Sequence, residues 1–247
     1  MNGILSLDRP AEVPGGSADR FRQDGHICLR GLADPTEVAA VRPVIERLVG
    51  AHTKESKPVG KRDTYGAAFL QVGDLWRRDE AVRAFVHAPR FASAAAALLG
   101  VNGVRLYHDQ ALFKEPQGGH TPWHQDQYYW PLDTTNTVTM WMPLGDVREE
   151  VGSMVFVTGS HLLGDVGSGH ISDRSQDEID RLIQKRGLVT DTHGSLRVGD
   201  ATFHTGWTLH SAAPNPTRIM RPVMTVIYVE DGARVAKPTG PAQEFDS

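Results

Sequence analysis

The sequence contains almost no cysteine and no long apolar run. Its 247 residues include a single cysteine, Cys28, so no disulfide can form within the chain. A lone thiol is typical of proteins in a reducing compartment, and we expect a cytoplasmic location. The first sixteen residues lack the basic start and apolar centre of a signal peptide. No segment approaches the roughly 20 apolar residues of a membrane span, so we expect no membrane partner.

An excess of charge of one sign is also absent. The chain carries 26 Lys and Arg against 30 Asp and Glu, a formal net charge of -4, without a basic cluster. Nucleic-acid-binding proteins concentrate Lys and Arg on one face, so we expect no nucleic-acid partner and a small-molecule substrate instead. The sequence has no internal repeat and no low-complexity tract, and nothing in it specifies an oligomer.

The first hundred residues predict helices. Asp34 suits an N-cap, Pro35 suits the first helical position, and Glu37 lies three residues past the cap, where it can complete a capping box. Valine, isoleucine and leucine follow at helical spacing. The remaining expectations for this part are helices over 79–87 and 89–99, a loop long enough to cover a pocket over 51–73, and a flexible tail over 1–16.

From Val104 onward the pattern changes to short β-rich segments that Gly, Pro, Asn or Asp separate. One amphipathic helix, over 176–185, interrupts them. Helices followed by strands indicate an α+β fold with an antiparallel sandwich or barrel as its body. The length is compatible with a single domain over 1–247. The strands are predicted at 104–114, 137–144, 154–158, 201–204, 208–212 and 222–230.

A candidate metal site lies in the run TPWHQDQ, which contains His124 and Asp126. In extended backbone, side chains two residues apart point to the same face, so these two can converge on one point. Together with one distant histidine they would form the two-His-one-carboxylate triad of Fe(II) oxygenases. Such a triad leaves coordination positions open. The alternative is a histidine and an aspartate joined by a hydrogen bond in a loop.

A second candidate group lies in the run GDATFHTGWTLHS over 199–211, which is followed by Arg221 near the start of the apolar strand PVMTVIYVE. A guanidinium is costly to bury without a partner. A dicarboxylate supplies that partner through paired hydrogen bonds, which Arg makes better than Lys. The alternative is an ordinary arginine at the end of a strand that reaches solvent.

These runs, together with GSMVFVTGSH over 152–161, resemble the phytanoyl-CoA dioxygenase family of Fe(II)- and 2-oxoglutarate-dependent oxygenases. The resemblance extends in order from about Leu106 to Val229. It implies a double-stranded β-helix, or jelly-roll, core with the N-terminal helices on the major sheet. It also implies Fe(II) as the metal, with 2-oxoglutarate and O2 as co-substrates.

The resemblance assigns roles to individual residues. It implies His124, Asp126 and His210 as the iron ligands and Arg221 as the partner of 2-oxoglutarate. His210 is preferred as the distal ligand because Arg221 follows it by eleven residues, whereas it follows His204 by seventeen. His204 is then a packing residue or a support of the site. The resemblance further implies two residues of the 2-oxoglutarate pocket, Trp141 and Gln110.

The chain departs from the family pattern at two positions. Many members have a serine two residues beyond the distal histidine, where this chain has Ala212. Many also use a lysine from the N-terminal region, for which the nearest equivalent here is Gln71. The aromatic residues Tyr128 and Trp130 follow the proximal ligands and are candidates to face the substrate, with packing at the cavity rim as the alternative. The histidine of the GSH motif, His161, is expected in a structural turn near the site.

The implied activity is oxidation of an unactivated C–H bond in a small molecule. We expect hydroxylation of a secondary metabolite, as in antibiotic biosynthesis, with cyclisation, epimerisation or desaturation as other outcomes. Halogenation is disfavoured because Asp126 keeps the carboxylate ligand. An acyl-CoA is not expected because no basic cluster is present to meet its phosphates. The alternatives from other classes are a cupin-like metal-binding isomerase and a non-catalytic small-molecule binder.

Overall fold

A computed structural model describes residues 7–54, 56–167 and 169–244 of the chain. Within these ranges the chain forms six α-helices, several short 3-10 turns and ten β-strands. The helices are α1 Ser17–Asp24, α2 Pro35–His52, α3 Thr64–Ala68, α4 Glu80–Val86, α5 Pro89–Leu99 and α6 Asp173–Arg186. The strands are β1 His26–Leu29, β2 Leu70–Gly73, β3 Val104–Phe113, β4 Thr121–His124, β5 Thr137–Pro143, β6 Met154–Val157, β7 Thr190–Thr192, β8 Ala201–Thr205, β9 His210–Ala212 and β10 Val223–Glu230.

The strands form two antiparallel sheets. The larger, called the major sheet, has the order β1-β8-β5-β10-β3-β2, and the smaller, called the minor sheet, has the order β4-β9-β6-β7. Most neighbours are not consecutive in sequence, because the chain crosses repeatedly from one sheet to the other; the exceptions are β2 with β3 and β6 with β7. This is the jelly-roll arrangement, so the expected α+β fold with a double-stranded β-helix core is confirmed.

The N-terminal helices cover the outer face of the major sheet. Helix α5 packs on β3, β5 and β10. Helix α2 begins as predicted, because Thr36 N donates to Asp34 Oδ1 over 2.8 Å and Asp34 N donates to Glu37 Oε2 over 2.7 Å. None of the helices in the described ranges is long and apolar enough to cross a bilayer.

Side chains along the central strands of the major sheet point alternately toward the helices and toward the inner side, which faces the minor sheet. Met140 of β5 and Val226 and Tyr228 of β10 join the core under the helices, and the Tyr228 hydroxyl donates to the carbonyl of Val86 in α4 over 3.1 Å. The residues between them face the minor sheet. The inner side therefore receives the polar and aromatic residues Thr139, Trp141 and Thr225.

Two expectations for the N-terminal half are corrected. The region 51–73 contains a short helix, α3, and an edge strand, β2, because Leu70 to Gly73 pair with β3. No periodic pattern is visible over so few residues. The expected tail over 1–16 is ordered from Leu7 onward, since Leu7 is buried and its carbonyl accepts from Arg90 N over 3.1 Å. Residues 1–6 lie outside the described ranges.

Candidate metal centre and cavity

The fold brings the three predicted ligands together. His124 ends β4 and His210 begins β9, and the two residues pair directly across the minor sheet. Their rings lie 4.0 Å apart between centroids. Asp126 follows in a 3-10 turn after the extended residue Gln125, so its carboxylate returns to the same side as His124. Sequence spacing predicted this convergence, and the geometry agrees with it.

The donor atoms of these residues surround one point. Asp126 Oδ1 lies 3.6 Å from His124 Nε2 and 3.6 Å from His210 Nε2. Each residue offers one ligand atom, and these atoms all lie within 4.8 Å of one another. Adjacent ligands with metal bonds of about 2.1 Å lie about 3 Å apart, so the observed set needs only a small contraction around an ion. Two imidazoles and one carboxylate fit Fe(II) with open positions.

The backbone fixes the tautomer of both histidines. His124 Nδ1 lies 2.8 Å from the carbonyl of Pro122, and His210 Nδ1 lies 2.9 Å from the carbonyl of Thr208. A carbonyl can only accept, so each Nδ1 carries the proton and each Nε2 presents its lone pair to the common point. Burial, with the neighbouring histidines, lowers the pKa of His124 to about 3 and that of His210 to about 4. Both rings are therefore neutral and can offer Nε2 to a metal ion.

Asp126 uses its two oxygens differently. While Oδ1 faces the histidines, Oδ2 accepts hydrogen bonds from Thr139 Oγ1 over 2.9 Å and from His204 Nε2 over 3.2 Å. Burial alone would raise the pKa of this carboxyl, but the hydrogen bond from His204 holds it below the usual range. Thr139 was missed by sequence reasoning because a threonine within a strand carries no distinguishing signal.

Arg221 is a buried cation close to this site. Only 2% of its surface is exposed, and burial lowers its pKa to about 9. Nη1 donates to the carbonyl of Gly152, while Nε has no hydrogen-bond partner among the described residues. The guanidinium lies 5.2 Å from the centre of the Trp141 ring. Gly152 must be glycine here, because its φ is +74° and a Cβ would lie 2.7 Å from the carbonyl of Ala213.

A buried lysine, Lys114, lies beside Arg221 and was not predicted. The two residues exchange backbone hydrogen bonds of 3.0 and 2.9 Å. Lys114 Nζ donates to the carbonyl of Gly119 over 2.5 Å and to Thr121 Oγ1 over 3.4 Å. Burial, with the nearby Arg221, lowers the pKa of Lys114 to about 6. The available signal was a lysine that directly continues an apolar strand, as Arg221 directly precedes one.

A cavity of about 560 Å³ lies between the two sheets, and both the histidine–aspartate cluster and Arg221 line it. Its size is typical of a small-molecule site. Trp141 and Gln110 line it as expected, and they occupy one row across the inner face because each pairs in register with Thr225. Ala212 lines it too, directly opposite Thr121, so the position of the missing serine does face the cavity.

The three candidate substrate-facing residues do not all line the cavity. Gln71 and Trp130 line the cavity, whereas Tyr128 does not, and its neighbour Tyr129 takes that place. The reason is the 3-10 turn Asp126–Tyr129, since residues three apart in such a turn share a side and Tyr129 therefore follows Asp126. Tyr128 instead packs its ring against Tyr129 and His170. The cavity-lining position predicted for Tyr128 is thus occupied by Tyr129.

His161 lies away from the cavity, in a short 3-10 turn after Gly159. Its Nε2 is 3.1 Å from the carbonyl of Arg22 in α1. The predicted structural turn is present, but it packs against α1 and does not line the cavity. His204, expected as a packing residue or a support of the site, contacts Asp126 through Nε2, and its buried Nδ1 has no hydrogen-bond partner among the described residues.

A jelly roll whose inner face carries two neutral imidazoles, one carboxylate and a nearby buried arginine belongs to the class of mononuclear iron proteins with open coordination sites. Within that class, the chain belongs to the phytanoyl-CoA dioxygenase family, whose model matches residues 21–223. The family resemblance seen in the sequence is confirmed.

Three relatives illustrate the range of the match. A protein of Stutzerimonas stutzeri named as a probable alpha-ketoglutarate-dependent hypophosphite dioxygenase is 27% identical over 158 residues, covering 60% of this chain. The match spans about half, 53%, of that relative. The solved structure of the non-heme alpha ketoglutarate dependent carbocyclase SnoK from nogalamycin biosynthesis has a TM-score of 0.78 and 25% identity, covering 94% of this chain and 91% of SnoK. The epimerase SnoN from the same biosynthesis has a TM-score of 0.73 and 30% identity, covering 96% and 88%.

Proposed function

We propose that this chain is a single-domain, cytoplasmic oxygenase, over residues 1–247, that uses Fe(II), 2-oxoglutarate and O2 to oxidise a C–H bond of a small molecule. The observation that carries the proposal is the arrangement of His124, Asp126 and His210 around one point in a cavity that also contains Arg221. Family membership supports the same activity.

The proposed roles follow from the contacts. His124 Nε2, Asp126 Oδ1 and His210 Nε2 bind the iron, since each offers a lone pair to the same point. Arg221 receives the far carboxylate of 2-oxoglutarate, which would supply the partner that its buried Nε lacks. Trp141 lies against the arginine and shapes the co-substrate pocket, and we propose Gln110 as a hydrogen-bond donor there.

Bound iron and 2-oxoglutarate supply the activation of O2. In the balanced reaction, 2-oxoglutarate loses CO2 and becomes succinate with one atom of O2, while the second atom enters the substrate as C–H becomes C–OH. The protein residues hold the reactants in place and limit water, since the triad is largely buried. Trp130 and Gln71, on the cavity wall, are proposed to face the substrate, with Tyr129 in place of Tyr128.

We propose hydroxylation of a secondary metabolite as the outcome. SnoK is named a carbocyclase and SnoN an epimerase, both from nogalamycin biosynthesis, which supports a tailoring role in antibiotic biosynthesis. Cyclisation, epimerisation and desaturation use the same site and differ in the fate of the substrate carbon. Halogenation is disfavoured because Asp126 occupies the position that a halide would need.

The test is an anaerobic titration of the purified chain with Fe(II) and then 2-oxoglutarate. A weak visible charge-transfer band should develop as the 2-oxo acid binds the iron. The band should be lost in His210→Ala and should require higher 2-oxoglutarate concentrations in Arg221→Met. Binding of a small molecule without any such band would instead indicate a non-catalytic binder or a cupin-like isomerase.

A further inference from the structure

The cavity wall is poor in positive charge. Apart from Arg221, none of the described residues that line it is a lysine or an arginine. The one carboxylate on the wall besides Asp126 belongs to Asp74, whose Oδ1 lies 3.6 Å from Arg77 Nε. If Arg221 holds the co-substrate, an anionic substrate group would enter this space without a fixed cation to receive it. Burying an unpaired anion is strongly unfavourable.

Four cavity-lining side chains form a continuous polar row, made of Tyr65, Gln71, Gln110 and His108. The Tyr65 hydroxyl donates to Gln71 Oε1 over 2.8 Å, and Gln71 Nε2 donates to Gln110 Oε1 over 2.5 Å. Gln110 Nε2 lies 3.3 Å from His108 Nδ1. Burial raises the pKa of Tyr65, so its hydroxyl stays a neutral donor.

This polar row retains hydrogen-bonding capacity toward the cavity. Each carboxamide has two N–H groups and two acceptor directions, and the bonds within the row use only one donor and one acceptor of each. An alkyl chain would displace the water that is hydrogen-bonded to these groups without offering a hydrogen-bond partner in its place. Each group left unsatisfied would cost roughly 1 to 3 kcal/mol. Hydroxyl, ether or carbonyl oxygens of a substrate would replace that water.

Aromatic rings complete the wall. Phe69, Tyr129 and Trp130 line the same cavity. Trp130 is 5% exposed and packs edge-on against Tyr107, with ring centroids 5.8 Å apart. The Tyr129 hydroxyl accepts from Ile171 N over 2.9 Å, which fixes its ring. Immobile aromatic faces favour flat or cyclic ligands, since ring faces stack with little loss of conformational freedom.

The cavity wall has little positive charge, a polar row that retains hydrogen-bonding capacity and fixed aromatic rings. From these three features we infer that the substrate is an uncharged cyclic compound carrying several oxygen functions, as in a glycoside or a polyhydroxylated ring. The inference rests on the proposed function because it reserves Arg221 for the co-substrate. It separates this chain from two chemistries found in the names of its relatives. Hypophosphite is a small anion, and a phytanoyl group is a long alkyl chain.

The test compares two fluorescent probes, methylumbelliferyl glucoside and methylumbelliferyl glucuronide. They differ only in that a carboxylate replaces a hydroxymethyl group. Binding is measured by fluorescence anisotropy with Fe(II) and 2-oxoglutarate present and oxygen absent. The glucoside should bind about tenfold or more tightly than the glucuronide, a difference that corresponds to about 1.4 kcal/mol.

A charge variant gives the matched control. Gln71→Lys adds a cation to the polar row and should improve glucuronide binding about tenfold relative to the glucoside. Gln184→Lys makes the same change on the exposed surface of α6 and should leave the preference unchanged. The inference is overturned if the glucuronide binds the wild-type chain as tightly as the glucoside, if neither probe binds, or if decanoyl-CoA displaces the glucoside.

A second arm separates this inference from the proposed function. Binding of both probes to metal-free Arg221→Met is also measured without 2-oxoglutarate. In this variant only the other residues of the cavity wall can discriminate between the two probes. If the charge-transfer band fails to form but this variant still prefers the glucoside, the proposed oxygenase activity fails alone. If the band forms normally and the glucuronide is preferred in both arms, the substrate inference fails alone.

Discussion

His204 donates from Nε2 to Asp126 Oδ2 over 3.2 Å, so this histidine contacts the carboxylate ligand on the side that faces away from the candidate metal position. It lies on the major sheet, whereas the two candidate histidine ligands lie on the minor sheet. The contact therefore joins the two sheets through the carboxylate. It also explains why one histidine of the run 199–211 can be a ligand while the other supports a ligand.

The first prediction separates these two histidines. His210→Ala should abolish stoichiometric Fe(II) binding, because it removes one of three ligands. His204→Ala should weaken Fe(II) binding by about tenfold to a hundredfold, the usual effect of losing a partner that orients a ligand. Competition with a chelator measures both affinities. Loss of iron in His204→Ala with retention in His210→Ala would show that the distal ligand is misassigned.

The second prediction concerns Thr139. Thr139→Val keeps the side-chain shape but removes the hydroxyl that donates to Asp126 Oδ2. We expect about tenfold weaker Fe(II) binding with little change in unfolding temperature. Thr139→Ser retains the hydroxyl and should bind iron nearly as well as the wild type. Equal affinities for the valine and serine variants would mean that the hydroxyl does not orient the carboxylate.

The third prediction concerns Arg221. Arg221→Met removes a charge-assisted pair with the diacid, worth roughly 1.5 to 3 kcal/mol, so 2-oxoglutarate should bind about tenfold to a hundredfold more weakly. Fe(II) affinity should stay close to that of the wild type. Calorimetry with each ligand gives the comparison. Because a buried cation without an acidic partner is replaced by an apolar chain, the ligand-free variant should not unfold at a lower temperature; a large decrease would contradict this account.

The fourth prediction concerns Lys114 and pH. Its pKa is about 6 in the folded chain, against an ordinary value of 10.5, so near pH 7.5 it is mostly neutral before 2-oxoglutarate binds. A dianion close to Arg221 and Lys114 favours the protonated amine, so binding should take up a proton. The affinity should rise as pH falls toward 6. Calorimetry in buffers of different ionisation enthalpy measures the uptake.

Lys114→Met provides the control for this prediction. It should remove both the proton uptake and the corresponding part of the pH dependence. Charged groups near Lys114 include Arg221 and the ion pair of Arg62 with the adjacent Glu115. Between pH 6 and 10.5 the unfolded chain binds more protons at this lysine than the folded chain does, so the wild type should gain stability with rising pH relative to Lys114→Met. If Lys114→Met takes up as many protons on binding 2-oxoglutarate as the wild type does, Lys114 is not the group that becomes protonated.

Local sequence patterns were sufficient for much of the fold. The capping residues Asp34 and Glu37 form the predicted box at the start of α2, because such caps depend on neighbours within one turn. The helix over 79–87 and six strands from Val104 onward also follow from local patterns, whereas β4 and β7 were not predicted. The strand β2 was not found, since four residues at a sheet edge are held by pairing with β3 and not by their own pattern.

The site divides in a similar way. The spacing of His124 and Asp126 places them on one side of an extended segment, but their role and that of Arg221 were predicted only through the family resemblance. Thr139 and Lys114 depend on which strands become neighbours, which the sequence does not state. The exchange of Tyr129 for Tyr128 follows from a single 3-10 turn. The sequence pattern does not show which of two adjacent tyrosines in such a turn faces the cavity.

The direct pairing of His124 with His210 makes the candidate metal site depend on the register of two strands. Side chains alternate between faces along a strand, so sliding β9 past β4 by one residue would turn His210 outward and leave no place for the ion. Only chains that have aligned these two short strands correctly could retain iron. The ion would thus bind only to chains in which β4 and β9 pair in the native register. The iron content of a preparation would then measure the fraction of molecules in that register.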